Sequence, residues 1–413
     1  MASTYLKRSL GTATSNKKGT WSFWVKKSKN GASMMFFGNE VSNDNNRGYI
    51  QFNSSDKLRI IDNDDGGDNC QMITTQVFRD VNAWYHFVFA FDTTQSTASD
   101  RIKWYVNGEQ ITAFDTASYP AQNIDLKIFE GGQTNKYHIG SLYASGSGSN
   151  FFDGCMSHVH FSDGQQLAPT VFGSTDSTTG EWKINTSPSF TLGNNGFTIL
   201  KDGITITDQS SNSNNFSLGG GTLTKTEDCP SSVFATMNPL DKHIGGTAPT
   251  FSNGNNTWSS PGNGSSNAAV KGTIGASSGK YYFEAKFTAA QYTNAGMSLV
   301  DGTNGWNGDI AGQSSFYGIQ AGGNKRVAGT NTSSVFTALS NNDIGMFAYD
   351  FDNNKFWFGV NGSWVASGNP TTGANSLGTL ASGIYLPSVS NGYWTAVSTV
   401  QFNFGNGYFG TTA

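Results

Sequence analysis

Residues 84–91 are Trp84-Tyr85-His86-Phe87-Val88-Phe89-Ala90-Phe91, a run in which an aromatic ring recurs at every second position. The four odd-numbered rings share one face of an extended chain, and mostly apolar side chains take the opposite face. A strand that is apolar on both faces is covered on both sides. This run therefore predicts a β-strand that is central in its sheet.

A hairpin signal follows the predicted strand. The apolar residues of 102–106 alternate with polar ones and then meet Asn107-Gly108, a pair that tolerates positive φ at both turn positions. The same arrangement returns late in the chain, where an apolar strand, an acidic turn and a second strand end on Asn361-Gly362. The spacing differs between the two copies, so we interpret them as one antiparallel architecture used twice rather than as a solenoid repeat.

The composition agrees with an ordered all-β protein. The chain has 413 residues, of which 51 are Gly and 55 are aromatic (30 Phe, 15 Tyr and 10 Trp), whereas only 13% are charged. Abundant rings supply apolar surface that disordered chains lack, and abundant glycine serves tight turns between short strands. The length allows two or three domains.

Charge and hydropathy exclude several classes of partner. The formal net charge is -4, so no global basic field exists to hold nucleic acid. The sequence shows neither a signal peptide nor an apolar run long enough for a membrane span, and we expect synthesis in a cytosol without membrane insertion. Three widely spaced cysteines suggest neither a CxxC metal site nor a disulfide framework.

The first acidic residue, Glu40, is preceded by seven Lys and Arg residues. Such an asymmetry predicts either a segment that docks on an acidic surface or a solvated strand face. The docking candidates are Lys7, Arg8, Lys17 and Lys18.

The chain separates into three parts by composition. Strand-like runs fill residues 1–165 and 279–413, whereas 166–278 are rich in Ser, Thr, Asn and Gly, with few apolar pieces. A structureless connection of that length is unusual in a compact protein. We therefore interpret 166–278 as a connector with short strands that pack on one or both neighbours, and a flexible linker is the alternative.

Particular motifs resemble known families. Residues 19–25, 84–89, 104–108 and 152–159 resemble laminin-G-like, concanavalin A-like jelly rolls. Residues 279–284, 343–346, 351–355 with 361–362, and 401–405 resemble a SPRY (B30.2) domain. Residues 208–216 and 234–240 are similar to segments of structural proteins of tailed phages, especially marine ones.

These resemblances imply two antiparallel jelly-roll β-sandwiches that recognise glycans or proteins through their loops and perform no chemistry. Laminin-G-like modules often hold Ca²⁺ in a rim loop, and oxygen ligands are concentrated here at Asp62, Asp64, Asp65 and Asp68. A solvated, glycine-kinked turn is the alternative at that position.

The sequence does not predict an enzyme. Jelly-roll glycosidases need two carboxylates at a fixed separation, carried as E-x-D-x-E on one strand face, and the six glutamates of this chain are too widely spaced for that motif. No G-x-S-x-G elbow lies on a strand-to-helix turn, where a nucleophilic serine hydrolase needs it. His158 and His160 have a spacing used in metal sites, but without an evident third ligand we interpret them as surface or hydrogen-bonded histidines.

Glycan recognition requires an aromatic plane for the apolar face of a sugar and polar groups for its hydroxyls. Aromatic and cationic residues within Gly/Asn-rich segments are the candidates, and Trp306 leads because turn-forming residues flank it. The predicted ligand-binding set is Trp258, Trp306, Arg326, Trp364, Tyr393 and Trp394.

The sequence therefore predicts a non-enzymatic, homo-oligomeric protein on the surface of a phage virion. Its partners would be other virion proteins of the capsid or tail and a host-surface glycan or receptor, with no cofactor besides a possible Ca²⁺. A fibre or spike that attaches to the host is the leading function. The first alternative is a capsid decoration or head-fibre protein, and a glycan-degrading enzyme is the second.

Overall fold

The structure is a computed structural model of the whole chain. It describes all residues except 1–2, 42–44, 66, 145–146, 202, 244–247, 261, 263–267, 291, 302–309, 394, 407–408 and 410–413. The chain forms two compact units, the first from residues 1–225 and 229–233 and the second from 226–228 and 234–413. The residues 166–278 are thus distributed between the two units.

The first unit contains strands β1–β18, all paired in antiparallel fashion in its sheets. These are β1 Tyr5–Arg8, β2 Lys18–Lys27, β3 Met34–Glu40, β4 Arg47–Phe52, β5 Lys57–Asp64, β6 Gly67–Val77, β7 Trp84–Asp92, β8 Ile102–Val106, β9 Glu109–Ile111, β10 Phe114–Ser118, β11 Tyr137–Ile139, β12 Leu142–Ala144, β13 Ser147–Ser149, β14 Gly154–Asp163, β15 Gly173–Thr175, β16 Trp182–Ile184, β17 Phe197–Ile199 and β18 Ser217–Gly220. Short 3-10 turns lie at Ala98–Asp100, Lys127–Phe129 and Pro169–Val171.

Two large sheets form the sandwich of the first unit. One has eight strands in the order β10-β6-β5-β4-β3-β11-β1-β18, and the other has six in the order β17-β14-β2-β7-β8-β9. Rings from both sheets meet in one core, as Phe36 of β3 and Phe87 of β7 do at 5.9 Å between ring centroids. The hairpins β12–β13 and β15–β16 lie outside these two sheets.

The second unit contains strands β19–β33 and is a sandwich of the same kind. These are β19 Met237–His243, β20 Thr250–Ser252, β21 Thr257–Ser260, β22 Ala269–Gly272, β23 Lys280–Ala289, β24 Thr293–Leu299, β25 Phe316–Gln320, β26 Asn324–Val327, β27 Thr330–Thr332, β28 Asp343–Asp350, β29 Lys355–Val360, β30 Ser363–Trp364, β31 Gly378–Thr379, β32 Tyr385–Asn391 and β33 Ser398–Asn403. Short 3-10 turns lie at Ile310–Gly312 and Val365–Ser367.

Its two sheets also enclose a shared aromatic core. A seven-stranded sheet has the order β19-β22-β32-β24-β25-β26-β27, and the second sheet has the order β20-β21-β33-β23-β28-β29-β30, with β31 paired to β29. Tyr317 of the first sheet meets Phe356 of the second at 6.5 Å between ring centroids. Within the described residues, no helix is of a length and apolarity that would span a membrane.

The structure confirms the predicted fold class of antiparallel β-sandwiches. Strand β7 lies between β2 and β8, and both of its faces are buried. Both predicted hairpins close as expected, with φ of 48° at Asn107 and 85° at Gly108, and 47° at Asn361 and 87° at Gly362. Positive φ at both central positions is the type I′ turn that matches the twist of paired strands.

Candidate functional site

Two of the four predicted calcium ligands, Asp62 and Asp64, hold the protein's own backbone and side chains. Asp62 is fully buried, and its carboxylate accepts hydrogen bonds from Asn69 Nδ2 at 2.9 Å, Lys127 N at 3.1 Å and Ile128 N at 2.9 Å. Burial raises the pKa of Asp62 to about 6. Both oxygens therefore anchor the 3-10 turn at 127–129, and Asp64 adds an ion pair with Lys127 at 3.3 Å.

The other two acidic candidates, Asp65 and Asp68, are exposed. Within the described part of the chain, no group of three or more His, Cys, Asp or Glu is placed to hold a metal ion. The prediction of a calcium site at these four aspartates is corrected accordingly, because Asp62 is buried against N–H donors whereas Asp65 and Asp68 are exposed, and the four carboxylates form no such group.

Arg8 does not belong to a docking surface. Only 7% of it is exposed, its Nη2 donates to Asn214 Oδ1 at 2.8 Å, and its guanidinium lies 5.5 Å from the centroid of the Phe216 ring. The sequence prediction for Arg8 is therefore wrong: the side chain ties β1 to the segment that precedes β18. This inward role follows from strand alternation, since Leu6 and Arg8 lie on the same, buried side of β1.

The other basic candidates remain at the surface. Lys17 and Lys18 are each 37% exposed and lie 3.9 Å from Asp125 and 3.1 Å from Asp92, respectively. Lys7 is half-buried on β1. Lys17 also lines a cavity of about 700 Å³ between the 10–17 segment, Asp125 and the 130–132 loop. Their role in docking stays a prediction.

Trp258 is a core residue. It is 0% exposed and packs within the apolar core of the second unit. Its Asn neighbours were the signal for a solvated loop, but Asn255 and Asn256 are themselves buried, and Asn256 Oδ1 accepts a hydrogen bond from Asn406 Nδ2 at 2.9 Å. The prediction that Trp258 contacts a ligand is therefore wrong. Trp306 and Trp394 lie outside the described residues.

Trp364 lies on a different sheet from the remaining candidates. It is half-buried on β30, and its ring lies 6.4 Å from that of Tyr282 at an interplanar angle of 71°. The hydroxyl of Tyr282 donates to Glu284 Oε1 at 2.7 Å. Strands β23 and β30 belong to one sheet of the second unit, whereas Arg326 and Tyr393 lie in and next to strands of the other.

Tyr393 contacts a second exposed tyrosine, Tyr292, at the edge of the sheet where β24 begins and β32 ends. Thr293 pairs with Asn391, which places Tyr292 beside the Gly392-Tyr393 segment. The two tyrosine rings lie 5.9 Å apart between centroids at an angle of 47°, and they are 49% and 47% exposed. Gly392 N donates to Tyr292 O at 2.6 Å. A pair of inclined, solvent-accessible rings results.

A buried amide layer supports this pair. A Cβ at Gly392 would lie 2.8 Å from both Asn294 Nδ2 and Gln320 Nε2, so only glycine allows the backbone to approach these amides so closely. Asn294 and Gln320 are both buried, and Asn294 Nδ2 donates to Ser390 Oγ at 3.1 Å. The backbone of Gly392, next to Tyr393, therefore lies directly against these two amides.

The same layer positions Arg326. Gln320 Oε1 accepts hydrogen bonds from Asn324 Nδ2 at 2.9 Å and from Arg326 Nη2 at 3.1 Å. The amide of Gln320 thus lies close to Gly392 on one side and accepts from a half-buried guanidinium of β26 on the other. We call Tyr292, Asn294, Gln320, Arg326 and Tyr393 the tyrosine rim.

Tyr292 was not predicted from the sequence. Its φ of 52° is left-handed, a conformation that costs roughly 1–3 kcal/mol in a residue other than glycine and that clusters at binding sites. The only local signal was a tyrosine just before a strand. Its nearness to Tyr393 depends on the pairing of 293 with 391, which lies almost a hundred positions away in the sequence.

Residues 2–171 match a family model, Laminin_G_3, described as the concanavalin A-like lectin/glucanases superfamily. The fold of this part is thus a lectin-like jelly roll. No curated protein matches the chain.

Among solved structures, the SPRY domain of human HERC1 is similar at 15% identity and a TM-score of 0.33, covering 41% of this chain and 98% of that one. A native heptameric SAP-like pentraxin from Limulus polyphemus is similar at 13% identity and a TM-score of 0.31, covering 53% and 90%. A Ruminococcus gnavus sialidase CBM40 bound to α2,3-sialyllactose is similar at 12% identity and a TM-score of 0.27, covering 36% and 82%.

Proposed function

We propose that this protein binds a glycan at the tyrosine rim without transforming it. The observation that carries the proposal is the inclined, exposed pair of Tyr292 and Tyr393 on a buried amide layer. Sugars present an apolar C–H face and a rim of hydroxyls, so they need aromatic planes beside hydrogen-bond donors. The rings offer the planes, and Arg326 offers the donors.

A single rim is a weak site. A millimolar Kd corresponds to only about 4 kcal/mol, and several copies on one particle raise the avidity by roughly 10² to 10⁴. We therefore propose that the protein acts as a homo-oligomer on a virion surface, anchored to other virion proteins and turned towards a host-surface glycan or receptor. The resemblance of residues 208–216 and 234–240 to phage structural proteins supports this part of the proposal.

Substitution of the rim tyrosines tests the glycan proposal. We expect Tyr292→Ala and Tyr393→Ala each to weaken binding of the glycan selected on an array roughly tenfold, about 1.4 kcal/mol, because each removes one stacking plane. Isothermal titration calorimetry measures the loss. Tyr281→Ala is the matched control, since Tyr281 is as exposed (49%) and lies on β23 of the other sheet.

Three results would contradict the proposal: no glycan retained by the wild-type protein on a multivalent surface, an equal loss in Tyr281→Ala, or release of reducing sugar from the bound glycan. The last of these would favour the enzyme alternative. Thermal melts of each variant show that a loss of binding is not a loss of fold.

Labelled protein and electron microscopy test the virion proposal. We expect antibody gold on the surface of intact particles and staining of host cells by purified protein, with the staining lost in Tyr393→Ala. Binding to empty capsids without binding to cells would favour the capsid decoration alternative. Particles without label would contradict a virion role while leaving glycan binding intact.

A further inference from the structure

The tyrosine rim leaves Trp364 without a role, and this residue lies on the other sheet of the second unit. On β23 of that sheet, Phe283 and Ala285 point into the core, so Tyr282 and Glu284 point outward. The Trp364 ring lies on the same outward side, 6.4 Å from the Tyr282 ring between centroids and inclined to it by 71°. We call Tyr282, Glu284 and Trp364 the aromatic corner.

The sheet beneath the aromatic corner is apolar and has little relief. Met346 of β28 lies opposite Glu284 on one side and opposite Gly359 of β29 on the other. Its neighbour Phe347 points into the core, so Met346 points outward. A Cβ at Gly359 would lie 3.2 Å from the Trp364 ring and 3.3 Å from Met346 Cε. The indole and the methionine methyl therefore both border this glycine, which adds no side chain of its own.

The corner is accessible to solvent and carries a negative charge. Tyr282 is 50% exposed, and Glu284 and Trp364 are half-buried. Glu284 Oε1 accepts a hydrogen bond from the Tyr282 hydroxyl at 2.7 Å, and Glu284 forms no ion pair with any residue in the described part of the chain. Lys286, the next outward residue of β23, lies beyond Glu284 on the side away from Tyr282.

Aromatic rings beside a carboxylate attract a cation. A cation within about 6 Å of a ring centroid is drawn to the negative face of Trp or Tyr, and the attraction strengthens as water is excluded. A carboxylate without a partner in the protein adds direct charge attraction. Two inclined rings and one such carboxylate therefore select a positively charged ligand over a neutral one.

The hydrogen-bonding groups of the corner select the kind of cation. A primary ammonium has three N–H donors and needs acceptors for them. One Glu284 oxygen already accepts from Tyr282, and Met346 Sδ accepts from Gly362 N at 3.2 Å. A quaternary ammonium has no N–H donor and places methyl groups against rings and a thioether, so it fits this set of groups better.

We propose that the aromatic corner binds a quaternary ammonium group of the choline type, against the rings of Tyr282 and Trp364 and with Glu284 as its counter-ion. This site goes beyond the proposed function and does not depend on the tyrosine rim, which belongs to the other sheet of the second unit. A lipid headgroup and a small soluble molecule can both carry this group, and the experiment below separates them.

Calorimetric titration of the full chain tests the proposal with three small probes. These are choline, ethanolamine and the uncharged carbon analogue of choline, in which a tert-butyl group replaces the trimethylammonium group. We expect choline to bind about tenfold more tightly than either of the other two, with an affinity that falls as NaCl is raised.

Variants of the corner assign the binding to it. Trp364→Leu removes one ring, and Glu284→Gln removes the charge but keeps an oxygen that accepts from the Tyr282 hydroxyl, so each should weaken choline binding about fivefold or more. Tyr282→Leu should have a similar effect, whereas Tyr282→Phe keeps the ring and should retain the affinity within about twofold. Thermal melts show that each variant is folded.

Three further variants are controls. Tyr281→Ala removes a ring that is 49% exposed but lies against Phe351, and it should change the affinity less than about twofold. Lys286→Gln removes a like charge and should not weaken the binding. Tyr393→Ala should leave it unchanged, and a loss there would assign choline to the tyrosine rim and overturn this inference.

Sedimentation with vesicles identifies the source of the group. Binding to phosphatidylcholine vesicles but not to phosphatidylglycerol vesicles would identify a lipid headgroup. Binding of choline without binding to either vesicle would identify a small soluble ligand.

Other results would overturn the inference. These are no binding of choline, equal binding of the uncharged analogue, which would indicate an apolar site, equal binding of ethanolamine, which would indicate a general ammonium site, and equal losses in Trp364→Leu and Tyr281→Ala. Each of them leaves glycan binding at the tyrosine rim open to its own test.

Discussion

The two Asn-Gly turns share a backbone but differ in what lies against the glycine. Gly108 and Gly362 have φ of 85° and 87°. A Cβ at Gly108 would lie 2.4 Å from the Trp182 ring, whereas a Cβ at Gly362 would have no atom within 4 Å. Conformation alone requires glycine at Gly362, and both conformation and packing require it at Gly108.

This pair allows strain and packing to be measured separately. We expect Gly362→Ala to cost about 1 kcal/mol, the penalty of a left-handed conformation for a residue with a Cβ. Gly108→Ala should cost a further 1–3 kcal/mol or so, because Trp182 must move. Denaturant unfolding of the two variants measures both losses. Equal losses would mean that the Trp182 ring does not rest on this turn.

Single residues also show where the sequence misleads. Asparagines next to Trp258 suggested solvent, but Asn255 and Asn256 are buried inside the second unit, where Asn256 Oδ1 accepts from Asn406 Nδ2. An asparagine favours a turn without indicating whether the turn faces water or protein. Local flanks therefore drew attention to Tyr393 but not to its neighbour Tyr292, whose position depends on a distant strand pairing.

At the scale of elements, the long strands could be predicted from their own alternation, whereas the short strands of 166–278 could be predicted only as a group. The nine residues of β7 are enough to define a period of two, and the Asn-Gly pairs mark type I′ hairpin turns, so together they predict antiparallel sandwiches. Strand β17 has three residues and is defined only by its pairing with β14. In β18, Gly219 lies against the Tyr5 ring, where a Cβ would come within 2.1 Å of a ring carbon. Only tertiary contacts select such strands.

The segment with β15 and β16 shows what a short element can do. Trp182 Nε1 donates to His86 Nδ1 at 2.9 Å, so the neutral ring carries its proton on Nε2 and donates it to Ser22 Oγ at 2.8 Å. The imidazole stacks on Trp24 at 4.8 Å between ring centroids, and Trp182 lies nearly coplanar with it, at 5.9 Å and an interplanar angle of 17°. A two-stranded hairpin thereby buries a titratable group on the outward face of the six-stranded sheet.

Across the whole molecule, buried histidines make the first unit sensitive to acid. His86, His138 and His160 all lie in this unit, and burial lowers their pKa values from 6.5 to about 3, 4 and 3. Between those values and 6.5 the unfolded chain binds protons that the folded unit does not. The free energy of unfolding therefore decreases as the pH is lowered from 6.5 towards these values. The decrease is up to about 1.4 kcal/mol per pH unit for each histidine.

Other groups do not cancel this effect. The raised pKa of Asp62, about 6, has the opposite sign, since the folded state then binds a proton before the unfolded state does, but it is one group against three. Asp56 and Asp92 have lowered pKa values, so their stabilisation is lost only below about pH 4. Between pH 6 and pH 4 the histidines dominate.

Below pH 6 we therefore expect the free energy of unfolding of the first unit to decrease by no more than roughly 3 kcal/mol per pH unit. This maximum is the effect of three histidines minus the opposite effect of Asp62. A domain is stable by about 5–15 kcal/mol, so two pH units are enough to bring this unit close to unfolding. Differential scanning calorimetry at pH 7, 6, 5 and 4 should show one transition that shifts steeply to lower temperature, with the second unit as the internal reference. Two transitions that move in parallel, or one that moves upward on acidification, would show that these imidazoles take up protons in the folded state.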